Sequence, residues 1–148
     1  MAKSQILAKL VNFLQNNHVI PVHMSVRESI KINTGIYMPI IKVLPHAEIC
    51  PNGASFDATP GENICRQLLE HGIEIEHACD MACACTTCHV IVRQGFNSLN
   101  EMDELEEDLL DRAWGLTSVS RLSCQAIVDN EDLIIEIPKY TINHAKEG

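Results

Sequence analysis

A chain of 148 residues, 46% hydrophobic but only 4% aromatic, is long enough to bury one core without covalent staples. Its net charge of −9 argues against the clustered lysine and arginine footprint of a nucleic-acid binder. The sequence holds no run of about 18 apolar residues and no compact apolar segment with a small-residue cleavage site near its start, so neither a membrane span nor a secretory signal is expected.

The charge is unevenly placed. Residues 1–37 carry Lys3, Lys9, Arg27 and Lys31 against Glu28, a net +3, which leaves −12 on residues 38–148. In the leader, Leu7, Leu10, Val11 and Leu14 have the spacing of a short amphipathic helix, and the stretch holding Pro21 and Gly35 keeps no period. One arginine makes a poor transit peptide. Residues 1–37 are therefore expected to be a poorly ordered extension, or to lie upstream of a natural start at Met38, with one domain over 38–148.

From Met38 the pattern is regular. Ile40, Ile41, Val43 and Leu44 suit a strand, Pro51-Asn52-Gly53 a turn, and Ala54-Ser55-Phe56-Asp57-Ala58 the return strand of a hairpin. Thr59-Pro60-Gly61-Glu62 has the form of a capping box, which predicts a helix over 60–71 with Ile64, Leu68 and Leu69 inward and Gly72 as its left-handed stop. Residues 76–88 have neither period and are expected to be a loop. Val90-Ile91-Val92 reads as a strand leading into Gly95. A second helix is predicted over 101–113, with Met102, Leu105 and Leu109 inward. Ala126-Ile127-Val128 and Leu133-Ile134-Ile135-Glu136-Ile137 are expected to form a closing hairpin around the turn 129–132. Strand pairs separated by helices imply a small α+β domain with one mixed sheet.

The chemistry is concentrated in the cysteines. There are seven, an odd number, and four of them fall within residues 79–88. A disulfide scaffold would show an even, dispersed set behind a signal peptide, so a reduced metal site in a reducing compartment fits better. Without Cys83 the spacing is C-x5-C-x2-C through Cys79, Cys85 and Cys88, with Cys124 a further 36 positions on. Four thiolates complete the tetrahedra of both irons in a [2Fe–2S] cluster. Small and polar intervening residues let backbone N–H groups approach the sulfurs and offset the cluster's charge. Two other chemistries use the same residues. Zinc takes four thiolates, though structural sites draw two from each of two short knuckles. Dithiol exchange through Cys85-x-x-Cys88 would normally open a helix, whereas here it leads into a strand.

The sequences His77-Ala78-Cys79, Cys83-Ala84-Cys85-Thr86-Thr87-Cys88-His89, Ala113-Trp114-Gly115-Leu116 and Arg121-Leu122-Ser123-Cys124-Gln125 resemble the adrenodoxin-type [2Fe–2S] ferredoxins. The opening Met38-Pro39-Ile40-Ile41-Lys42-Val43-Leu44-Pro45-His46 and the ending Ile137-Pro138-Lys139-Tyr140-Thr141-Ile142-Asn143-His144-Ala145 are similar to the bacterial branch that serves iron–sulfur cluster assembly. The resemblance spans 38–148 and implies a β-grasp fold with a mixed sheet, one main helix, an acidic second helix and a cluster-binding loop. It also implies one [2Fe–2S] cluster held by Cys79, Cys85, Cys88 and Cys124. Cys83 falls outside that ligand set, as a small packing residue or as an auxiliary thiol in cluster delivery, a role that needs exposed thiolate character. His89 is implied to tie the loop to the rest of the domain by hydrogen bonding. Cys50 and Cys65 read as small buried hydrophobes.

Residues 101–111 hold seven acids and no base. Such crowding costs stability through like-charge pairs such as Glu104 and Asp108. The resemblance puts the partner surface here, on Glu104, Glu106, Asp108 and Asp111, with Leu105 standing at a matching acidic position. The expected function is one-electron transfer without enzyme activity, feeding cluster assembly, in a monomer with no membrane or nucleic-acid partner. The expected partners are a flavoprotein ferredoxin reductase and the assembly proteins, a cysteine desulfurase or a scaffold, met through a basic surface. The expected location is the cytoplasm of a bacterium, or the mitochondrial matrix for a eukaryotic source. The alternative function is a zinc-stabilised acidic interaction module.

Overall fold

The computed structural model describes residues 2–17 and 37–140, in two compact units, 1–38 and 39–148. The first unit contains helix α1, Ala2–Asn16, on which Ile6, Leu10 and Phe13 are exposed. The side chains of Leu7, Val11 and Leu14, residues 18–36 with Pro21 and Gly35, and the end of the chain over 141–148 lie outside the described residues. Among the described residues no helix is long and apolar enough to cross a membrane.

The second unit is built on five strands: β1 Ile40–Val43, β2 Ala54–Asp57, β3 His89–Gln94, β4 Ser120–Leu122 and β5 Leu133–Glu136. They lie in the order β2-β1-β5-β3-β4. The hairpin β1–β2 is antiparallel, as the turn at 51–53 predicts. Its first strand runs parallel to β5, with Ile41 opposite Leu133 and Val43 opposite Ile135, so the beginning and end of the domain meet at the centre of the sheet. This mixed sheet with few helices is the β-grasp architecture. The alternation of the strands puts Ile41, Val43, Val90, Val92, Leu133 and Ile135 into one core with Ile64 and Leu68.

Helix α2 occupies Ile64–Glu70, shorter than the expected 60–71. The predicted capping box is not used. Gly61 has φ +88°, and its N–H donates to Val128 O at 2.8 Å, while Ile64 N donates to Ala126 O at 3.0 Å. Buried Gln67 closes the preceding turn, accepting from Thr59 N at 2.7 Å and donating to Thr59 O at 3.2 Å. Asn63 is the cap instead, its side chain accepting from Arg66 N at 2.8 Å. Gly72 does end the helix with φ +76°. The bonds Gly72 N to Leu69 O at 3.1 Å and Ile73 N to Leu68 O at 2.9 Å form a Schellman closure.

Two further expectations are corrected. Residues 126–128 are not a strand: they make a single bridge, Asn63 with Ile127, because their backbone bonds go to the turn ahead of α2. There is no closing hairpin, and β5 pairs with β1 and β3. The strand missed is β4, Ser-Arg-Leu, which is buried although polar and pairs His89 with Leu122. The second predicted helix is α3, Glu104–Leu110. It is capped by Asp103, which accepts from Glu106 N at 2.8 Å. Leu105 is 56% exposed, whereas Glu106 and Leu110 face inward with Leu109 packed against the core.

The position of the α2 cap gives a direct test. Asn63→Ala is expected to cost about 1 kcal/mol, read as a thermal midpoint lower by about 4 °C, and Thr59→Ala to leave the midpoint nearly unchanged. Equal losses from both would restore the capping box.

Candidate metal centre

The loop between α2 and β3 is held by its own polar groups. Ala78 N donates to the buried Thr87 Oγ1 at 2.9 Å, Asp80 N to His77 O at 2.8 Å, and Ala82 N to Cys79 O at 3.1 Å. Asp80, Met81 and Cys83 take left-handed backbone angles, φ +55°, +64° and +53°. Each such residue costs on the order of 1 kcal/mol, and such backbone angles turn N–H groups out of the loop's own bonding. One of them, Ala84 N, reaches Cys79 Sγ at 3.4 Å.

Cys124 comes from the opposite side. β4 lies against β3, and Ser123 N donates to Cys88 O at 3.0 Å, which brings the next residue beside Cys88. The four cysteines are thereby gathered, Cys79, Cys85 and Cys88 along the loop and Cys124 beside Cys88, with Cys85 in electrostatic contact with Cys79 and Cys88 with Cys124. Among the described residues no three His, Cys, Asp or Glu side chains converge as a single ion would require. Two thiols for each of two irons is the demand of a binuclear cluster.

The protonation pattern follows from these contacts. The neighbouring Cys88 thiol pulls Cys124 down to about 6 against its burial, helped by Gln125 Nε2 at 3.4 Å and the Cys83 N–H. The same contact, with burial, pushes Cys88 up. At Cys85 burial works to raise the thiol, but hydrogen bonds from Thr87, including Oγ1 at 3.2 Å, and from Cys79 outweigh it and hold it low. Cys85 and Cys124 are thus biased toward the thiolate that iron requires.

Cys83 is 9% exposed and its thiol is raised to about 11, chiefly by burial. It lacks the thiolate character that a delivery role demands. His89 is buried and its pKa is lowered by that burial. One ring nitrogen faces the Trp114 backbone carbonyl, to which it donates, and Nε2 lies 2.7 Å from Ser120 Oγ. It therefore ties the end of the loop to the segment after α3.

The acidic helix divides. Glu104, Asp108 and Asp111 are exposed. Glu106 is 1% exposed, and Arg121 holds it bidentately, Nε to Oε1 at 2.8 Å and Nη2 to Oε2 at 3.1 Å. Leu122 N donates to the same Oε1 at 2.9 Å, and Arg121 Nη1 to Asn100 O at 2.8 Å. Glu106 is thus removed from the expected partner surface. Its carboxylate fixes α3 to β4, two residues before Cys124. The sequence held no local signal for this, because the strand that carries Arg121 is short and has no period. Also unanticipated is an exposed aromatic pair, Trp114 edge-on to Tyr140 with ring centroids 5.1 Å apart and Lys139 Nζ 5.0 Å from the tyrosine ring.

Comparison with known proteins agrees with this geometry. Residues 47–129 match the family model of the 2Fe-2S iron-sulfur cluster binding domain. The 2Fe-2S ferredoxin of Pseudomonas aeruginosa is 64% identical over 111 residues, 75% of this chain and 99% of that one. That of Escherichia coli is 62% identical over 110 residues, 74% and 99% of the two chains. Among solved structures, the ISC-like [2Fe-2S] ferredoxin of Pseudomonas putida superposes with a TM-score of 0.70 at 57% identity, covering 72% of this chain and 98% of that one. Oxidised putidaredoxin, 23% identical with a TM-score of 0.62 over 70% and 99% of the chains, shares the fold.

The chain belongs to the [2Fe–2S] ferredoxin family, with the adrenodoxin-type fold. It binds one [2Fe–2S] cluster and is an electron carrier, not an enzyme, so the zinc module and the dithiol oxidoreductase are set aside.

The buried ion pair yields a prediction. Glu106→Ala leaves Arg121 unpaired and is expected to destabilise the domain by about 3 kcal/mol, whereas exposed Glu104→Ala changes stability by no more than about 0.5 kcal/mol. Thermal denaturation of the cluster-loaded variants separates them; similar small effects would show the pair to be dispensable.

Proposed function

We propose that Cys79, Cys85, Cys88 and Cys124 ligate the cluster, and that this ferredoxin supplies single electrons to iron–sulfur cluster assembly. The observation that carries the ligand set is the backbone bond from Ser123 N to Cys88 O at 3.0 Å, which brings Cys124 from the opposing strand end beside the last cysteine of the loop. The assembly role is supported by 57% identity to the ISC-like ferredoxin of Pseudomonas putida and by the sequence resemblance over 38–148.

When bound, the cluster supplies a site that takes one electron, changing by charge counting from about −2 to −3. The chain's own residues do the rest. The loop N–H groups and the Gln125 amide donate toward the sulfurs, and burial of Cys85, Cys88 and Cys124 keeps water from that side. An acidic protein around a negative centre favours a low potential.

The exposed carboxylates of Glu104, Asp108 and Asp111 suit a basic partner face, belonging to a flavoprotein reductase on one occasion and an assembly protein on another. Charge quickens encounter without tight affinity. Leu105, set among these acids, is an apolar contact through which partner choice can differ from that of relatives.

Cys83→Ser is expected to keep the visible cluster absorption, and Cys124→Ala to lose or strongly alter it; the reverse result would reassign the ligands. Electron transfer from a flavoprotein reductase is expected to slow about tenfold as ionic strength rises from ~0.01 to ~0.5 M, and a stopped-flow rate indifferent to salt would remove the acidic helix from recognition. Reduced protein is expected to accelerate cluster formation on a scaffold supplied by a cysteine desulfurase. No acceleration over the oxidised protein would sink the assembly role.

A further inference from the structure

Beside the four cysteines, one hydroxyl is left without a partner. Ser123 is 0% exposed, and its Oγ is the buried side-chain oxygen or nitrogen among the described residues that makes no hydrogen bond. A buried polar group left unpaired costs about 1–3 kcal/mol, so such a group marks either a fault or a missing partner. Fault is hard to defend at this position, where alanine or glycine would fill the backbone role equally well. That role is fixed on both sides: Ser123 N donates to Cys88 O at 3.0 Å, and Ser123 O accepts from Cys65 N at 3.0 Å.

Ser123 therefore stands between β3 and α2, directly before Cys124. On the α2 side its company is the thiol of Cys65, itself 0% exposed. That approach falls short of hydrogen-bond geometry and only partly offsets the burial that lifts the Cys65 thiol to about 11. Cys65 also lies within electrostatic reach of Cys124, Cys79 and Cys85, so Ser123 and Cys65 lie near the sulfur site. A neutral thiol is a weak acceptor. The strong acceptors of this region are the thiolates and sulfides of the bound cluster.

We propose that the Ser123 hydroxyl donates a hydrogen bond to sulfur of the [2Fe–2S] centre, the Cys124 thiolate included, and raises the potential at which the protein takes its electron. This rests on the ligand set proposed above. A donor at sulfur stabilises the more negative, reduced centre more than the oxidised one. The backbone donor at Cys79 and the Gln125 amide at Cys124 act in the same sense but stand at partly exposed places. Ser123 acts from the dry side, where the local dielectric is low and its effect is least screened. It is a positioning residue for charge: it neither ligates iron nor carries the electron.

The test uses the cluster-loaded full chain with Ser123→Ala, Ser123→Thr and Cys65→Ala, under anaerobic redox titration. Ser123→Ala is expected to retain the visible absorption and to lower the ratio of reduced to oxidised protein at a fixed poise about tenfold, equivalent to 59 mV for one electron. Ser123→Thr, which keeps the hydroxyl, should return the ratio to within about twofold of the parent, and Cys65→Ala should leave it there. Resonance Raman should show a deuterium-sensitive iron–sulfur band in the parent and the threonine variant that is lost in the alanine variant.

A midpoint and band pattern unchanged in Ser123→Ala would overturn the proposal. So would a shift reproduced by Cys65→Ala, since the hydroxyl would then serve the thiol. If Ser123→Ala does not load, Ser123→Gly is read in the same way. Failure of both to load while Ser123→Thr loads would make the role structural and overturn the proposal too. Absence of cluster absorption in the parent chain would instead sink the ligand set.

Discussion

Cysteines 36 positions apart in the sequence have to meet in a buried place, and the backbone bond from Ser123 to Cys88 is what brings them together. Everything around the centre serves that contact. β3 offers Cys88 at its entry and β4 offers Cys124 just past its end, so one antiparallel pair of strands sets the distance between loop and anchor. The parallel pairing of β1 with β5 then holds β3 in the sheet interior, since β5 is its other neighbour. The separation of Cys88 from Cys124 is set by a sheet register that the hydrophobic core enforces.

The buried pair Glu106–Arg121 extends the same construction to the surface. A bidentate ion pair out of water is costly to assemble and costlier to break, which makes it a poor source of net stability and a good fixed link. It joins the helix bearing Glu104, Asp108 and Asp111 to the strand that leads to Cys124. His89 gives a second link, from the residue after Cys88 to Ser120 and the Trp114 backbone. The acidic face is therefore tied by two links to the strands that carry Cys88 and Cys124 at their ends.

The family and its cofactor were more legible than the elements of the fold. Cysteine spacing points to a [2Fe–2S] centre because thiolate ligation needs that residue type in that rhythm. The hairpin at 51–53 and the stop at Gly72 were legible because their turn residues act locally. Thr59 misled because a capping box is local, whereas the backbone at 61–64 is claimed by residues 126–128, far off in sequence. β4 was missed because a three-residue polar strand has no period. Glu106 was read as surface because one acid among seven carries no mark of burial; only its distant partner Arg121 distinguishes it. Leu105 failed in the mirror sense, an apolar residue that the helix turns outward.

The central claim, that four paired thiols hold a single one-electron [2Fe–2S] centre, is tested most directly by anaerobic reductive titration of the purified chain, followed by visible absorption and paired with iron and sulfide analysis. Two irons and two sulfides per chain, with absorption partly bleached by one electron, is the predicted result. A colourless chain, or one that takes up two electrons with no change in the visible, would contradict it.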